Sequence, residues 1–122
     1  MKTTAETGKW GEQLVIDRLR AEGCLIMERN WRTGRYEIDI IAVDRFRCVR
    51  FVEVKTRRAG GWESAEASIT PTKSRALMRA ASAYMASRRP GDLFRFDLAA
   101  VEYTPDGNFE IRYTEGIIES HW

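Results

Sequence analysis

The most constraining feature of this sequence is an apolar, β-branched run that carries two acids, from Glu37 to Val43 (EIDIIAV). Strands dominated by isoleucine and valine are usually buried on both faces, so the run predicts a central strand in a sheet covered on each side. A carboxylate in such a place is costly unless a partner compensates its charge. The run therefore predicts a layered fold with a polar site inside it.

The rest of the chain predicts the element order α-β-β-β-α-β-β. Apolar residues at helical spacing predict a helix over 8–22, and Thr70 followed by Pro71 predicts the start of a second helix that ends near Arg88. Period-two patterns predict five strands: Leu25–Trp31, Glu37–Val43, Cys48–Thr56, Phe94–Tyr103 and Phe109–Ile117. The segment 57–69 is predicted to be a long irregular loop. Helices before and after a strand meander predict an α/β fold with three layers, α/β/α, around a central mixed sheet.

Length and composition favour a single domain over residues 1–122, with 43% hydrophobic content. No apolar stretch approaches the roughly 20 residues of a membrane helix, and the first residues lack a signal-peptide pattern, which predicts a cytoplasmic protein without membrane association. Cys24 and Cys48 lack the spacing of a metal site or disulfide framework and are expected to be buried, reduced thiols. The single histidine, His121, argues against a histidine-based acid–base mechanism.

A carboxylate and an ammonium stand two residues apart in the third predicted strand, at Glu53 and Lys55. Alternation places both on one face with Phe51, and Val52 and Val54 on the other. In metal-dependent nucleases such a carboxylate holds Mg²⁺, while the lysine positions or deprotonates a water or stabilises charge at phosphorus. Alone, an acid-x-Lys triplet is a weak signal.

The preceding strand strengthens this signal. Alternation puts Glu37 and Asp39 on one face, together with the apolar side chains at positions 41 and 43. An antiparallel hairpin through the turn 44–47, centred near residue 46, brings Asp39 opposite Glu53. Two carboxylates so close repel each other unless a cation compensates them. The pair Asp39 and Glu53 is therefore predicted to bind a divalent metal.

The first predicted helix contributes a further acid, Glu12, on its apolar flank. Gly8 and Gly11 lie beside that flank, where small residues would let the helix approach the sheet closely. A carboxylate there needs a partner. Two interpretations stay open: Glu12 forms a salt bridge with Lys55 or an arginine, or it lies beside or on the metal.

Basic residues are unevenly distributed along the chain. The first 95 residues carry 19 Lys/Arg against 12 Asp/Glu, whereas the remainder carries one against six. This predicts a positive face that contacts phosphates through arginines such as Arg57 and Arg58, the alternative being a solvated arginine-rich surface. Lys73, at the inward N-terminal end of the second helix, is either a phosphate contact or an ordinary surface lysine. Trp62, in the irregular loop, is the aromatic residue best placed to stack on an unpaired base, the alternative being a core aromatic.

Together these motifs resemble the YraN family of bacterial proteins. The matching segments run in order through nearly the whole chain: Gly8–Glu12 (GKWGE), Arg29–Arg32 (RNWR), Glu37–Ala42 (EIDIIA), Phe51–Arg57 (FVEVKTR), Lys73 and Arg95–Leu98 (RFDL). That family is similar to the PD-(D/E)xK nuclease superfamily, in particular to archaeal Holliday-junction resolvases, which fold around a central mixed sheet and use Mg²⁺. The chain departs from these patterns at Ile38, where the superfamily has proline, and at Tyr36, where YraN-like chains usually carry glycine.

The resemblance implies a restriction-endonuclease-like domain. In it, Asp39 matches the acid of the first motif, Glu53 and Lys55 match the acid-x-Lys motif, and Glu12 matches the acid of the first helix. It implies Mg²⁺ or Mn²⁺ as cofactor and DNA, including branched DNA, as substrate, with a homodimer as the form that would cut two strands. Two alternatives stay open: a non-catalytic nucleic-acid-binding adaptor in recombination or repair, and a protein-interaction domain whose acids form structural ion pairs.

Overall fold

The computed structural model describes residues 3–61 and 65–118. Its helices and strands are α1 (Thr4–Ala21), β1 (Leu25–Thr33), β2 (Tyr36–Val43), β3 (Val49–Arg58), α2 (Pro71–Arg88), β4 (Phe94–Tyr103) and β5 (Phe109–Glu115). The predicted α-β-β-β-α-β-β order is confirmed. Within the predicted irregular loop, Ala65–Ser68 form a short 3₁₀ helix, and Trp62 lies outside the described residues.

Both helices begin at a threonine cap. Thr3 Oγ1 accepts a hydrogen bond from the Glu6 N–H at 3.1 Å, and this capped first turn starts α1 at Thr4 rather than at residue 8. Thr70 caps α2 as predicted, since its Oγ1 accepts from the Lys73 N–H at 3.2 Å. A side-chain oxygen thus satisfies one orphan amide at the start of each helix.

The strands form a mixed sheet in the order β1-β2-β3-β4-β5. In the described part of the chain, β3 and β4 are the one parallel pair, and the other neighbours are antiparallel. A parallel pair needs a crossover connection, which the segment containing α2 supplies. Pairing with β4 continues from Val49 to Arg58, which extends β3 beyond the predicted end at Thr56.

The two helices cover opposite faces of this sheet. On one face, α1 packs through Val15, Ile16 and Leu19 against a core that includes Ile40 and Val52. On the other face, α2 contributes the following buried residues to a core that includes Ile41 and Phe51: Leu77, Ala80, Ala81, Tyr84 and Met85. The prediction of an α/β fold with a covered mixed sheet is confirmed at this level. No helix in the described ranges is long and apolar enough to cross a membrane.

Candidate metal centre

The candidate site lies in a fork where β2 separates from β3. The two strands pair from Val43↔Val49 to Ile40↔Val52, which is the register that the hairpin centred near residue 46 predicts. Beyond Ile40 the ladder stops, and the Val54 N–H donates instead to Asp39 Oδ2 at 2.8 Å. A side-chain carboxylate thus takes the place of a backbone acceptor and is held at the start of the fork.

The regular alternation of β2 breaks at Asp39. Ile40 packs towards α1, but Ile38, Ile41 and Val43 all belong to the core beneath α2. The prediction that Glu37 and Asp39 alternate regularly with the side chains at 41 and 43 is therefore wrong. The neighbouring strand is irregular at the same level, since Asn30, between the β1 residues that pair with Ile40 and Ile38, has a φ of 51°, a left-handed conformation that asparagine tolerates better than most residues.

Glu53 points from β3 towards α2, where its Oε1 lies 3.6 Å from Lys73 Nζ. Its side chain is only 12% exposed. Burial and the neighbouring carboxylate of Asp39 raise the pKa of Glu53 to about 8, and Lys73 opposes that shift. Its second oxygen, Oε2, is buried and has no hydrogen-bond partner among the described residues. Glu53 Oε2 is therefore open to a proton shared with Asp39 or to a cation.

Glu12 approaches the same centre from α1. Burial, followed by the charge of Asp39, raises the pKa of Glu12, while a hydrogen bond from Asn30 lowers it. With the amide of Asn30 oriented so that its nitrogen faces the acids, that nitrogen lies 3.2 Å from both Glu12 Oε1 and Glu37 Oε1. In the described part of the chain Glu12 forms no salt bridge with Lys55 or an arginine. The sequence interpretation missed Asn30, although asparagine is depleted in strands and its place inside β1 was a signal.

The donor set suits a hard divalent cation. Within the described ranges, no three His, Cys, Asp or Glu side chains converge closely enough to hold a metal by themselves. Asp39 and Glu53 nevertheless supply two adjacent carboxylates, one with a buried oxygen that lacks a partner. Mg²⁺ is commonly bound by one or two carboxylates, with waters and substrate phosphates completing its shell. The residues present therefore fit Mg²⁺ or Mn²⁺ in a site that substrate would complete.

The predicted basic residues separate into two groups. Lys73 is engaged with Glu53. Lys55, Arg57 and Arg58 line a groove of about 350 Å³ between α1 and β3, which Glu12 also lines. Lys55 and Arg57 border the groove through their backbone, because Val54, Thr56 and Arg58 are the β3 residues whose side chains face α1. The ammonium of Lys55 points to the α2 face of β3 with Glu53, as the alternation predicts.

Tyr36, one of the two departures from the family pattern, is tied to the α2 layer. Its ring packs against the core beneath α2, and its hydroxyl accepts a hydrogen bond from Arg79 Nη1 at 3.3 Å. Ile38, the other departure, is 1% exposed in the same core. Both residues therefore contribute apolar packing on the α2 side of the fork.

A covered mixed sheet with two carboxylates in a strand fork defines this chain as an α/β protein with a paired-carboxylate site. The model of the Uncharacterised protein family UPF0102 matches residues 11–101, and the chain belongs to this family, the YraN family that its motifs predict. Many proteins named for the family match it.

Three comparisons illustrate the range of similar proteins. A UPF0102 protein of Mycolicibacterium vanbaalenii is 36% identical over 118 residues, covering 95% of this chain and 96% of the relative. A UPF0102 protein of Oleidesulfovibrio alaskensis is 45% identical over 95 residues, covering 77% of this chain but 46% of the relative. Among solved structures, Pyrococcus furiosus SfsA in complex with Ca²⁺ gives a TM-score of 0.39 at 17% identity, over 92% of this chain and 63% of SfsA. A TM-score this low does not establish a shared fold.

Proposed function

We propose that this protein is a divalent-cation-dependent phosphodiesterase that cleaves DNA, including branched DNA, within a restriction-endonuclease-like fold. The observation that carries the proposal is the buried, unpartnered Oε2 of Glu53 beside Asp39. Two acids held together in an interior destabilise each other, so a protein that keeps them there has a use for a bound cation. The mixed sheet covered by helices, and the resemblance of the motifs to PD-(D/E)xK nucleases, support the same assignment.

Asp39 and Glu53 would hold Mg²⁺ or Mn²⁺, which when bound supplies Lewis-acid activation of water and stabilises charge on the phosphoryl oxygens. The hydrogen bond from the Val54 N–H fixes the orientation of Asp39. Lys55 would orient the attacking water or stabilise charge at phosphorus. Glu12, held by Asn30, would support the centre from the α1 side. Arg58 would bind a flanking phosphate from this groove, and Arg57 would bind one from the opposite face of β3.

The proposal is tested by cleavage of labelled duplex, single-stranded and four-way-junction DNA with Mg²⁺, with Mn²⁺ and with EDTA. Glu53→Gln and Asp39→Asn keep the side-chain shape and are expected to lower cleavage at least about hundredfold, because each removes a charged metal ligand. Glu28→Gln is the matched control, since Glu28 is a half-buried acid that lies 3.9 Å from Arg88. Cleavage that persists in EDTA, or in both site variants, would refute the proposal.

A non-catalytic nucleic-acid-binding adaptor is the second candidate. It is favoured by the absence of a three-ligand cluster among the described residues and by the Lys73 ammonium already beside Glu53. The adaptor predicts steeply salt-dependent binding by the wild-type protein without cleavage of any substrate. The protein-interaction alternative predicts weak, salt-insensitive binding instead. Measuring the mass in the same buffers tests the proposed homodimer.

A further inference from the structure

Two concavities with shared lining residues lie along α1, one of them at Glu12. The groove of about 350 Å³ that contains Glu12 and Lys55 shares Thr7, Arg58 and Tyr103 with a wider concavity of about 560 Å³. The wider part extends to the β4–β5 turn at Pro105. The two concavities therefore form one path, called here the α1–β3 channel, along the N-terminal half of α1 and the C-terminal half of β3.

One cation faces this channel without an acidic partner. The side chains of β3 alternate between the two faces of the sheet, and Thr56, whose Oγ1 lies against Gly11, marks the face towards α1. Arg58 lies on that face, lines both parts of the channel and forms no ion pair within residues 3–61 and 65–118, whereas Lys55 and Arg57 point to the opposite face. A guanidinium without a carboxylate partner is available to an anion from outside the chain.

The edge of β3 in the fork adds backbone donors. Val54 directs its N–H towards the β2 side, as its hydrogen bond to Asp39 shows. Residues two apart along a strand direct their N–H groups to the same edge, which turns the amides of Thr56 and Arg58 towards the fork. The pairing with β2 ends at Val52, so no β2 ladder covers this edge. Amide and guanidinium donors along one line suit a row of phosphates.

Two glycines of α1 differ in what surrounds them. A Cβ added at Gly11 would collide with Thr56 Oγ1, so that glycine is required for packing of the helix on the sheet. A Cβ added at Gly8 meets nothing within 4 Å, and Gly8 lines the channel. Glycine weakens a helix interior, yet packing does not explain it at this position. A ligand that approaches the helix backbone closely would explain it.

We propose that the α1–β3 channel binds an unpaired nucleic-acid strand that enters or leaves the acidic centre. The inference rests on the proposed function and specifies its substrate, a nucleic acid with a single-stranded part next to the cleaved bond. Unpaired bases can enter a concavity, and Trp10 and Tyr103, which meet edge-to-face with ring centroids 5.9 Å apart, give the wider part an aromatic wall. Aromatic walls with cations are how proteins bind single strands without sequence preference.

The test is fluorescence anisotropy with a labelled oligothymidine strand, its RNA counterpart and a blunt duplex of equal length, in EDTA and in Ca²⁺. Gly8→Leu fills the channel and is expected to weaken strand binding at least about tenfold while raising the urea midpoint, because leucine is a better helix former. Ala5→Leu, at an exposed position of α1 outside the channel, is the matched control. Arg58→Ala is expected to weaken binding and lower the salt slope by about one, whereas the exposed Arg20→Ala leaves both unchanged.

The channel is supported if the protein binds a single strand more tightly than the duplex, and if Gly8→Leu loses this tighter binding while Ala5→Leu keeps it. Comparison of the DNA strand with the RNA strand then identifies the preferred sugar. Equal strand binding by Gly8→Leu and Ala5→Leu overturns it, as does a preference for duplex. Binding is read without cleavage, so the two proposals fail separately. If the channel binds a strand that is never cleaved, the phosphodiesterase proposal alone is refuted. If cleavage depends on metal but is unaffected by Gly8→Leu, the channel proposal alone is refuted.

Discussion

Two acids on neighbouring strands, the buried Asp97 on β4 and the half-buried Glu53 on β3, have opposite surroundings. Asp97 is 0% exposed, and its carboxylate accepts from Arg95 Nε at 2.9 and 3.1 Å, from the Tyr113 hydroxyl and from the Gly116 N–H at 3.1 Å. Glu53 has one lysine nearby, an acid beside it and a buried oxygen with no partner in the described chain. The carboxylate of Asp97 has its acceptor positions filled, whereas that of Glu53 keeps one position open.

The largest expected change in the free energy of unfolding comes from substitution of Asp97. Asp97→Ala leaves the guanidinium of Arg95, the Tyr113 hydroxyl and the Gly116 amide without their shared acceptor. Loss of one partner from a buried charged network typically destabilises by about 3 kcal/mol. Urea unfolding of the variant measures the change. A loss below about 1 kcal/mol would mean that this network does not hold β4 and β5 together.

Substitution of Glu53 should stabilise the protein, whereas substitution of Asp97 destabilises it. The pKa of Glu53 is raised to about 8 in the folded protein, above its ordinary value of 4.5, so its ionisation opposes folding. Without metal, the contribution of Glu53 to the free energy of unfolding is therefore most favourable below about pH 4.5, and it becomes less favourable as the pH rises towards 8. Glu53→Gln should remove this decline and stabilise the protein by about 1 kcal/mol at pH 8.

The measurement is urea unfolding of Glu53→Gln and wild type at pH 6 and pH 9 in EDTA, repeated with Mg²⁺. Mg²⁺ should raise the urea midpoint of wild type and leave that of Glu53→Gln unchanged, since a ligand stabilises only a protein that binds it. A variant less stable than wild type at pH 9 would show that Glu53 is a structural acid after all.

The smallest effect is expected at Asp44, in the turn between β2 and β3. Burial opposes its ionisation, but hydrogen bonds from the Cys48 and Phe46 amides and from Arg50 outweigh burial and lower its pKa. Its contribution is complete above about pH 4 and is lost as the pH falls through the lowered pKa, the reverse of Glu53. Asp44→Asn should cost about 0.5 kcal/mol at pH 7 and much less in acid. Acid titration of stability, followed by tryptophan fluorescence, distinguishes the two signs.

Much of the fold could be predicted from the sequence because its causes are local. The cap at Thr70, the apolar period of α2 and the hairpin register that brings Asp39 to Glu53 depend on a few consecutive residues. The break in alternation at Asp39 could not be predicted in this way, because it occurs where β2 leaves β3 and lies beside the irregular residue Asn30 of another strand. The hydrogen bonds of Asp97 could not be predicted either, because its partners Tyr113 and Gly116 lie on β5 and directly after it.

The parallel pairing of β3 with β4 has a consequence for the order of folding. Residues such as Val49 and Phe94 meet across a long stretch of chain, whereas β2 and β3 meet through a short turn. Closing a short loop costs less entropy, so the β2–β3 hairpin is expected to form first. Asp39 and Glu53 would then come together before Lys73 arrives with α2. A nascent chain would thus bring its two acids together before the ammonium of Lys73 is in place, at a stage when a divalent ion in solution can supply counter-charge.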